Sequence, residues 1–414
     1  MAAAAQEELP KIAIPRQPGV TEGPWDRADV VAVKEALRDS QQASTSGRTA
    51  GAGGQVLLGK TLEELQEFAK AQGQPAYRGK QLYDGLMHGA HSVEDITNVP
   101  SSWRQELVRQ GVTTGRSKLF KEVRAADGTR KFLLQLHDGY LVETVGIPLD
   151  DADKHRLTVC VSSQVGCPMR CTFCATGKGG FARNLRPHEI VDQVLTVQEH
   201  FGTRVSNVVY MGQGEPCLTW RAVLASAQFI NADIGIGARH ITVSTVGVPN
   251  SMAMLAEALK ERSLQITLAV SIHAPSQEIR EKIVPSAKAY PFEALLEDCS
   301  NFYRITGRRV TFEYTLLAGF NDSPAQAEEL ARVLTRHGLR GSHVNLIPWN
   351  AVQDAQFKRP SRAAGRAFCD ALEKAGIPVS MRVTRGTDAA AACGQLRNEF
   401  QRMPLDGSLR QQLA

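Results

Sequence analysis

The stretch LTVCVSSQVGCPMRCTFCATGKGG, residues 157–180, joins an apolar strand pattern to a loop that holds three cysteines. In its first six residues, apolar side chains alternate with polar or small ones and several are β-branched, which is typical of a buried strand. Cys167, Cys171 and Cys174 follow with CxxxCxxC spacing. Three thiolates on one short loop can bind three irons of a cubane cluster and leave the fourth iron open to another ligand.

A zinc site is the alternative for this loop. Structural zinc takes a fourth ligand, usually a Cys or a His. Cys160 and His188 are the near candidates, and Cys160 lies within the predicted strand. The pattern therefore favours an iron–sulfur cluster, but the spacing alone leaves zinc open because a remote residue could complete the site.

From residue 157 onward, strand and helix patterns alternate. The strand candidates are LTVCVS, VSNVVYMG, HITVSTVG, LQITLAVSIH, RVTFEYTLLAG and SHVNLIPWN, and helical segments such as PHEIVDQVLTVQEHF follow them. This alternation predicts an α/β fold with a parallel sheet, because each crossover helix returns the chain in the same direction. Periodicity does not separate a barrel from an open doubly wound sheet. In both, a ligand is expected at the carboxyl ends of the strands.

The segments before residue 157 have a different character. TLEELQEFAKAQG predicts a helix capped by Thr61, with Glu64 completing a capping box. Residues 117–149 alternate with period two, with turns at Asp127-Gly128 and Asp138-Gly139. A short helical pattern also spans Asp29–Asp39. The predicted units are a flexible tail (1–55), a helical accessory domain that binds RNA (56–116), a β-rich linker (117–156), the α/β domain (157–400) and a C-terminal tail (401–414).

Composition is that of an ordinary soluble protein. The 414 residues are 43% hydrophobic and 22% charged, with a net charge of +5. No run of about 18 apolar residues is present, so no membrane span is expected. The N-terminus has no obvious secretory signal. We expect a monomer in the cytoplasm, with a plastid or other organelle as the alternative because the N-terminal tail is long.

Basic residues are concentrated between Trp103 and Lys131. This segment carries eight Lys or Arg residues and three acids, a net charge of +5 that equals the charge of the whole chain. Tyr77, Arg78 and Lys80 form a second, smaller basic patch. Such segments suit phosphate contacts with RNA, although most are merely solvated surface.

The longer string CVSSQVGCPMRCTFCATGKGGFARNL, residues 160–185, resembles the RlmN/Cfr family of radical S-adenosylmethionine (SAM) RNA adenine methyltransferases. GEP, SIHA, NLIPWN and TRG…AACGQL match the family in the same order, so the resemblance covers roughly residues 60–400. It implies a partial (βα)6 barrel, a [4Fe–4S] cluster on the three cysteines, and rRNA or tRNA as the partner. It also implies an electron donor such as flavodoxin or ferredoxin.

The resemblance also assigns residues to the cofactor. Two SAM molecules are implied for each turnover. The matching SAM-binding positions are Gly214, Glu215, Ser244, Ser271, Ile272, His273 and Asn350. Without the family match, His273 would be interpreted as a turn residue.

Three further positions match catalytic roles. The resemblance implies that Cys393 carries the methyl group, that Cys160 is the resolving thiol, and that Glu143 is the general base. A Cys160–Cys393 disulfide is the implied product of turnover. Considered without the family, both cysteines would be buried small apolar residues and Glu143 an exposed strand residue.

The family match leaves alternatives for the function. The same machinery serves methylation of adenine at C2 or, as in Cfr, at C8, and overall similarity favours C2. A radical SAM enzyme with a non-RNA substrate would keep the cluster cysteines without needing Cys160 or Cys393. A non-catalytic iron–sulfur or zinc RNA-binding protein is a third alternative. The chain departs from the family in MGQGEP, where MGMGEP is more usual, and in having Cys217 after GEP.

Overall fold

The structure is a computed structural model that describes residues 55–151, 154–352 and 355–396. The predicted helical pattern Asp29–Asp39 and nearly all of both predicted tails lie outside the described residues. The division of the chain into domains stays a prediction.

Helices and strands alternate through most of the described chain. The helices are α1 (Leu62–Ala71), α2 (Tyr77–Met87), α3 (Ser101–Arg109), α4 (Ala175–Lys178), α5 (Pro187–Phe201), α6 (Trp220–Ala232), α7 (Ser251–Glu261), α8 (Gln277–Ile283), α9 (Phe292–Thr306), α10 (Pro324–Arg336) and α11 (Arg362–Lys374). The strands are β1 (Lys118–Arg124), β2 (Arg130–Gln135), β3 (Leu141–Asp151), β4 (Lys154–Cys160), β5 (Gln164–Gly166), β6 (Phe181–Asn184), β7 (Asn207–Tyr210), β8 (Ile241–Thr245), β9 (Thr267–Ser271), β10 (Thr311–Leu316), β11 (His343–Pro348) and β12 (Val379–Met381).

One ten-stranded sheet forms the centre of the molecule. Its order is β1-β2-β3-β4-β7-β8-β9-β10-β11-β12. Strands β1 to β4 pair antiparallel, whereas β4 and the strands that follow it in this order pair parallel. Because β4 pairs with β3 and not with β12, the parallel strands form an open arc. The α/β prediction and the partial (βα)6 barrel are confirmed, with all six predicted strands in place.

The structure adds elements that the sequence patterns did not predict. Strand β12 extends the parallel arc, and β5 and β6 form a separate two-stranded hairpin around the cysteine loop. These strands have three or four residues each, too few to display a period. The predicted β linker is also continuous with the barrel sheet, since β3 pairs with β4 from Val145↔Cys160 to Asp151↔Lys154.

The helices α1 to α3 pack around an apolar cluster of their own, which includes Leu65, Leu82 and Trp103. The predicted capping box is present, with Thr61 and Glu64 exchanging hydrogen bonds. Among the helices in the described ranges, none has both the length and the hydropathy to cross a bilayer.

The basic segment between Trp103 and Lys131 is not one exposed patch. Arg116 has no exposed side-chain surface and pairs with Asp192 and Glu199 of α5. Arg130 donates a hydrogen bond to the His200 carbonyl oxygen and stacks over the Phe201 ring. Lys131 is buried. The net charge of the segment therefore overstates its positive surface, because three of its cations bind within the protein.

Gly146 of β3 lies where the sheet approaches α5 closely. A Cβ atom there would lie 2.4 Å from Phe201 Cε2 and 2.7 Å from Val197 Cγ1. We expect Gly146→Ala to lower the free energy of unfolding by about 1–3 kcal/mol, because it overpacks this contact. Urea denaturation followed by circular dichroism measures the change.

Gly341→Ala is the matched control, because no atom lies within 4 Å of a Cβ built there. Both substitutions remove one glycine from the unfolded chain, so that contribution cancels. Equal stability of the two variants would contradict the close approach.

Candidate active site

The carboxyl ends of the parallel strands surround a first cavity, as the sheet topology predicts. Gly214 and Glu215 follow β7, Ser244 lies on β8, and Ser271 ends β9. All four line this cavity together with His273 and the three cysteines. Residues separated by more than a hundred positions in the chain therefore meet in one place.

The cysteine loop is held by backbone bonds on several sides. Cys167 N–H donates to Gly180 O (2.8 Å) across the β5–β6 hairpin, and Thr172 N–H donates to Ile283 O (3.0 Å). A Cβ on Gly166 would lie 2.0 Å from Gly180 O, so only glycine fits that crossing. The three thiols consequently line one wall of the first cavity.

The donor set of this wall suits an iron–sulfur cluster. Burial raises the pKa of the Cys167 and Cys171 thiols, and repulsion from the next thiol along the loop raises each further, so the positive charge of bound iron is needed to hold them as thiolates. Within the described ranges, no three His, Cys, Asp or Glu side chains gather closely enough to hold a single metal ion. A cubane binds each thiolate through a different iron, which suits three thiols along one cavity wall.

Glu215 places a buried carboxylate at the wall of the first cavity. Its oxygens accept from Cys217 N (2.8 Å) and Val246 N (2.9 Å), and burial raises its pKa. A ligand ammonium would supply the missing positive partner. Glu215 therefore fits the amino group of SAM.

His273 lies on the turn after β9, with a positive φ of 58°. Its Nδ1 accepts from Thr315 N (3.0 Å), and burial lowers its pKa to about 3, so the ring is neutral. Its Nε2–H is therefore the donor that remains. The residue caps a turn, as its sequence alone suggests, and it also lines the first cavity.

Two predicted cofactor positions lie elsewhere. The Ile272 side chain is fully buried and does not line the first cavity, although its N–H donates to Glu313 O (3.0 Å). Asn350 faces a second cavity and donates from Nδ2 to Cys393 O (3.1 Å). Asn350 thus holds the backbone at Cys393.

Cys393 lies between the two cavities. It is exposed, and it lines both the first cavity and the second cavity, which also contains Cys160, Asn207 and Arg382. Its exposed surface therefore opens into these cavities. The protein around the sulfur removes part of its contact with bulk water even though the residue keeps exposed surface, and this desolvation raises the pKa of Cys393. The neighbouring Arg382 guanidinium opposes that rise.

Cys160 lines the second cavity only. Burial raises its pKa to about 12, with the nearby Cys393 as a further cause. All eight cysteines are free thiols, so the disulfide predicted as the product of turnover is not present in this structure.

The loop of residues 382–396, here called the carrier loop, is tied to both neighbours of the site. Toward the β1–β2 turn, Gly386 N–H donates to Asp127 Oδ2 (2.8 Å) and Asp388 Oδ2 accepts from Ala126 N (2.9 Å). Toward the cysteine loop, Ala175 N–H donates to Gly394 O (2.8 Å). The predicted β linker thus forms part of the support for Cys393.

Glu143 is not the exposed strand residue that its sequence alone suggests. It is 1% exposed and lines neither cavity. Its Oε1 lies 3.1 Å from Lys131 Nζ, and its Oε2 accepts a hydrogen bond from Gln213 Nε2 (3.2 Å). The sequence indicates Lys131 only as part of the basic segment and not as a partner of Glu143. The hairpin register explains the contact, because Lys131 pairs with Val145 and so lies diagonally across from Glu143 on the same face.

Glu313 and Arg382 were also not predicted. Glu313 is 3% exposed, lines the first cavity and accepts from Asn345 Nδ2 (2.8 Å). Burial raises its pKa, and Arg382 opposes that rise. Glu313 is one of five consecutive buried residues of β10, and an isolated acid in an apolar strand gives no sign of its partner.

Comparison with known proteins agrees with this geometry. The model of the radical SAM superfamily matches residues 161–332. A curated protein of Synechococcus elongatus, "Probable dual-specificity RNA methyltransferase RlmN", is 55% identical over 344 residues, 82% of this chain and 93% of that protein. A protein of Gloeobacter violaceus with the same name is 55% identical over 82% of this chain and 94% of its own length.

The chain belongs to the RlmN family. A crystal structure of a radical SAM methyltransferase from Sphaerobacter thermophilus is also similar, with a TM-score of 0.76 and 39% identity over 83% of this chain and 99% of that one. The chain is therefore a radical SAM RNA methyltransferase, and the superfamily implies a [4Fe–4S] cluster and SAM as cofactors. The three thiols and the polar strand ends described above fit both groups.

Iron content tests the cluster wall. We expect Cys171→Ser, reconstituted without oxygen, to lose most of the roughly four irons that a cubane holds, because one iron loses its protein ligand. Colorimetric iron and sulfide assays measure the loss. Cys369→Ser on α11 is the matched control and should retain the iron. Full iron content in Cys171→Ser would rule out that ligand.

Proposed function

We propose that this enzyme methylates C2 of an adenine in rRNA of the 23S type and in tRNA, with Cys393 as the methyl carrier. The names of its relatives support a dual-specificity RNA methyltransferase. One observation carries the proposal: Cys393 separates the first cavity, which suits SAM, from the second cavity, which contains Cys160.

The position of Cys393 supports two successive uses of the first cavity. A thiolate at the cavity wall can take a methyl group from one SAM by displacement, and Arg382 favours that thiolate. Adenine C2 is electron-poor and does not attack a sulfonium methyl, so a second SAM must activate the carried group. When bound, the cluster supplies the electron that cleaves SAM to methionine and a 5′-deoxyadenosyl radical.

The later steps use the other residues. Loss of a hydrogen atom from the Cys393 S-methyl group gives a carbon radical that adds to adenine C2. Glu143 then accepts the C2 proton, and the unpaired electron left in the purine would return to the cluster that supplied it. The Cys160 thiolate attacks the Cys393 sulfur. The sulfur–carbon bond breaks with its electron pair on the methylene carbon, which takes up a proton, and methylated RNA is released. The resulting disulfide must be reduced before another turnover.

We assign RNA contacts to the basic side chains that remain exposed. These are Arg109, Lys118, Lys121 and Arg124. Tyr77 of α2 is 55% exposed, with the Arg78 guanidinium 4.9 Å from its ring centre, and suits stacking with a base. C2 is reached only when the adenine is unstacked, so the target is a loop or a flipped nucleotide.

The remaining features of the proposal concern partners and location. We propose a monomer that receives electrons from flavodoxin or ferredoxin and works in the cytoplasm, with an organelle as the alternative. We also propose residues 56–116 as the RNA-binding accessory domain, 117–156 as its link and 157–400 as the catalytic domain. The separate apolar cluster of α1 to α3 supports the boundary between residues 56–116 and 117–156.

Mass spectrometry of nucleosides tests the proposal. Reconstituted enzyme, dithionite, SAM carrying a deuterated methyl group and unmethylated RNA should yield labelled 2-methyladenosine. Labelled 8-methyladenosine would place the enzyme with Cfr instead. Formation of 5′-deoxyadenosine without labelled RNA would favour a non-RNA substrate, and absence of both would support a non-catalytic protein.

Removal of the Cys160 thiol tests the release step. We expect Cys160→Ala to accumulate RNA bound covalently to Cys393, because the thiol that breaks the sulfur–carbon bond is absent. Denaturing gels and mass spectrometry of nuclease-treated peptides detect the adduct. Cys369→Ala serves as the control and should release product normally. Release of methylated RNA by Cys160→Ala at the unmodified enzyme's rate would disprove this role.

A further inference from the structure

Lys131 is a basic side chain that points into the protein. It is 8% exposed, and its Nζ lies 3.1 Å from Glu143 Oε1 and 3.2 Å from the Ala390 carbonyl oxygen. The two contacts belong to different parts of the chain, since Glu143 is on β3 and Ala390 is on the carrier loop. One ammonium group therefore joins the proposed base to the loop that bears Cys393.

The charge of Lys131 matters because Glu143 is buried. A carboxylate without exposed surface and without a cationic partner takes up a proton instead of remaining ionised. Gln213 contacts the other carboxylate oxygen, but its amide is neutral. Of these two contacts, only Lys131 supplies a positive charge, and only an ionised Glu143 can accept a proton.

Lys131 also holds the carrier loop, through its contact with Ala390. Ala390 has a φ of 47°, a left-handed conformation that is unfavourable for a residue with a Cβ. Ala390 lies three residues before Cys393, and its carbonyl oxygen accepts a hydrogen bond from Lys131 Nζ. The hydrogen bonds that Asp127 and Asp388 accept join the same loop to the β1–β2 turn. Lys131 thus holds the Glu143 carboxylate and the loop that bears the Cys393 sulfur at the same time.

We propose that Lys131 is a positioning residue for the proton-transfer step, which holds Glu143 ionised and aligned with the adduct on Cys393. In that step the C2–H bond of the covalent adduct breaks, its electron pair stays in the purine, and the proton moves to the Glu143 carboxylate. This inference rests on the proposed function. It assigns Lys131 no part in the methylation of Cys393 or in cluster binding.

The test compares Lys131→Met with three other proteins. Gln213→Met removes the neutral contact to the same carboxylate, Lys260→Met removes an exposed lysine of α7, and the unmodified enzyme gives the reference. Intact-protein mass spectrometry measures Cys393 methylation, iron assays measure the cluster, denaturing gels measure covalent RNA, and nucleoside analysis measures 2-methyladenosine.

We expect Lys131→Met to methylate Cys393 and bind iron normally, yet to raise the ratio of covalent RNA to free product by about tenfold or more. The loss of a general base is worth about 100-fold or more, so a poorly held base falls within that range. Gln213→Met should change the ratio much less, and Lys260→Met not at all.

A ratio in Lys131→Met equal to that in Lys260→Met would overturn the inference, as would an equal effect of Gln213→Met. If Lys131→Met does not fold, Lys131→Gln, which keeps donors but no charge, makes the same comparison. Absence of 2-methyladenosine with the unmodified enzyme is a separate result, which refutes the proposed function and not the role of Lys131 alone.

Discussion

The closure of the carrier loop over the cysteine loop is the constraint on which the site depends. Cys393 O accepts from Asn350, and Gly394 O accepts from Ala175 N–H in the cysteine loop. Two main-chain carbonyls therefore fix the sulfur, whose own surface stays open to both cavities. A reacting group must contact its partners without being packed, and backbone bonds on either side achieve that.

Sequence patterns predicted the sheet and much of the first cavity, because parallel topology itself brings the strand ends together. The family resemblance assigned Glu215 and Ser244 to the cofactor, and the topology then places both at the same strand ends as the cysteine loop. The contacts of Glu143 depended on hairpin register, and a one-residue slip would have moved Lys131 to the other face. The placement of Asn350 at the second cavity likewise depended on the path of the carrier loop.

Charge was the least predictable property. The basic segment had a clear excess of Lys and Arg, yet Arg116 and Lys131 bind buried acids. Composition counts charges without knowing their partners, and a buried pair contributes nothing to an external field. The same limit explains why Glu313 and Arg382 were not predicted, since Glu313 lies in a mostly apolar strand and Arg382 in a loop, and neither sequence context shows the partner.

The distance along the chain between the two loops has a consequence for biogenesis. Proteins are synthesised from the N-terminus, and domains begin to fold as they emerge. Cys167, Cys171 and Cys174 leave the ribosome more than two hundred residues before Cys393. Until translation reaches the carrier loop, Ala175 N–H lacks its bond to Gly394 O, so the cysteine loop is fixed on that side only after nearly the whole chain has been made.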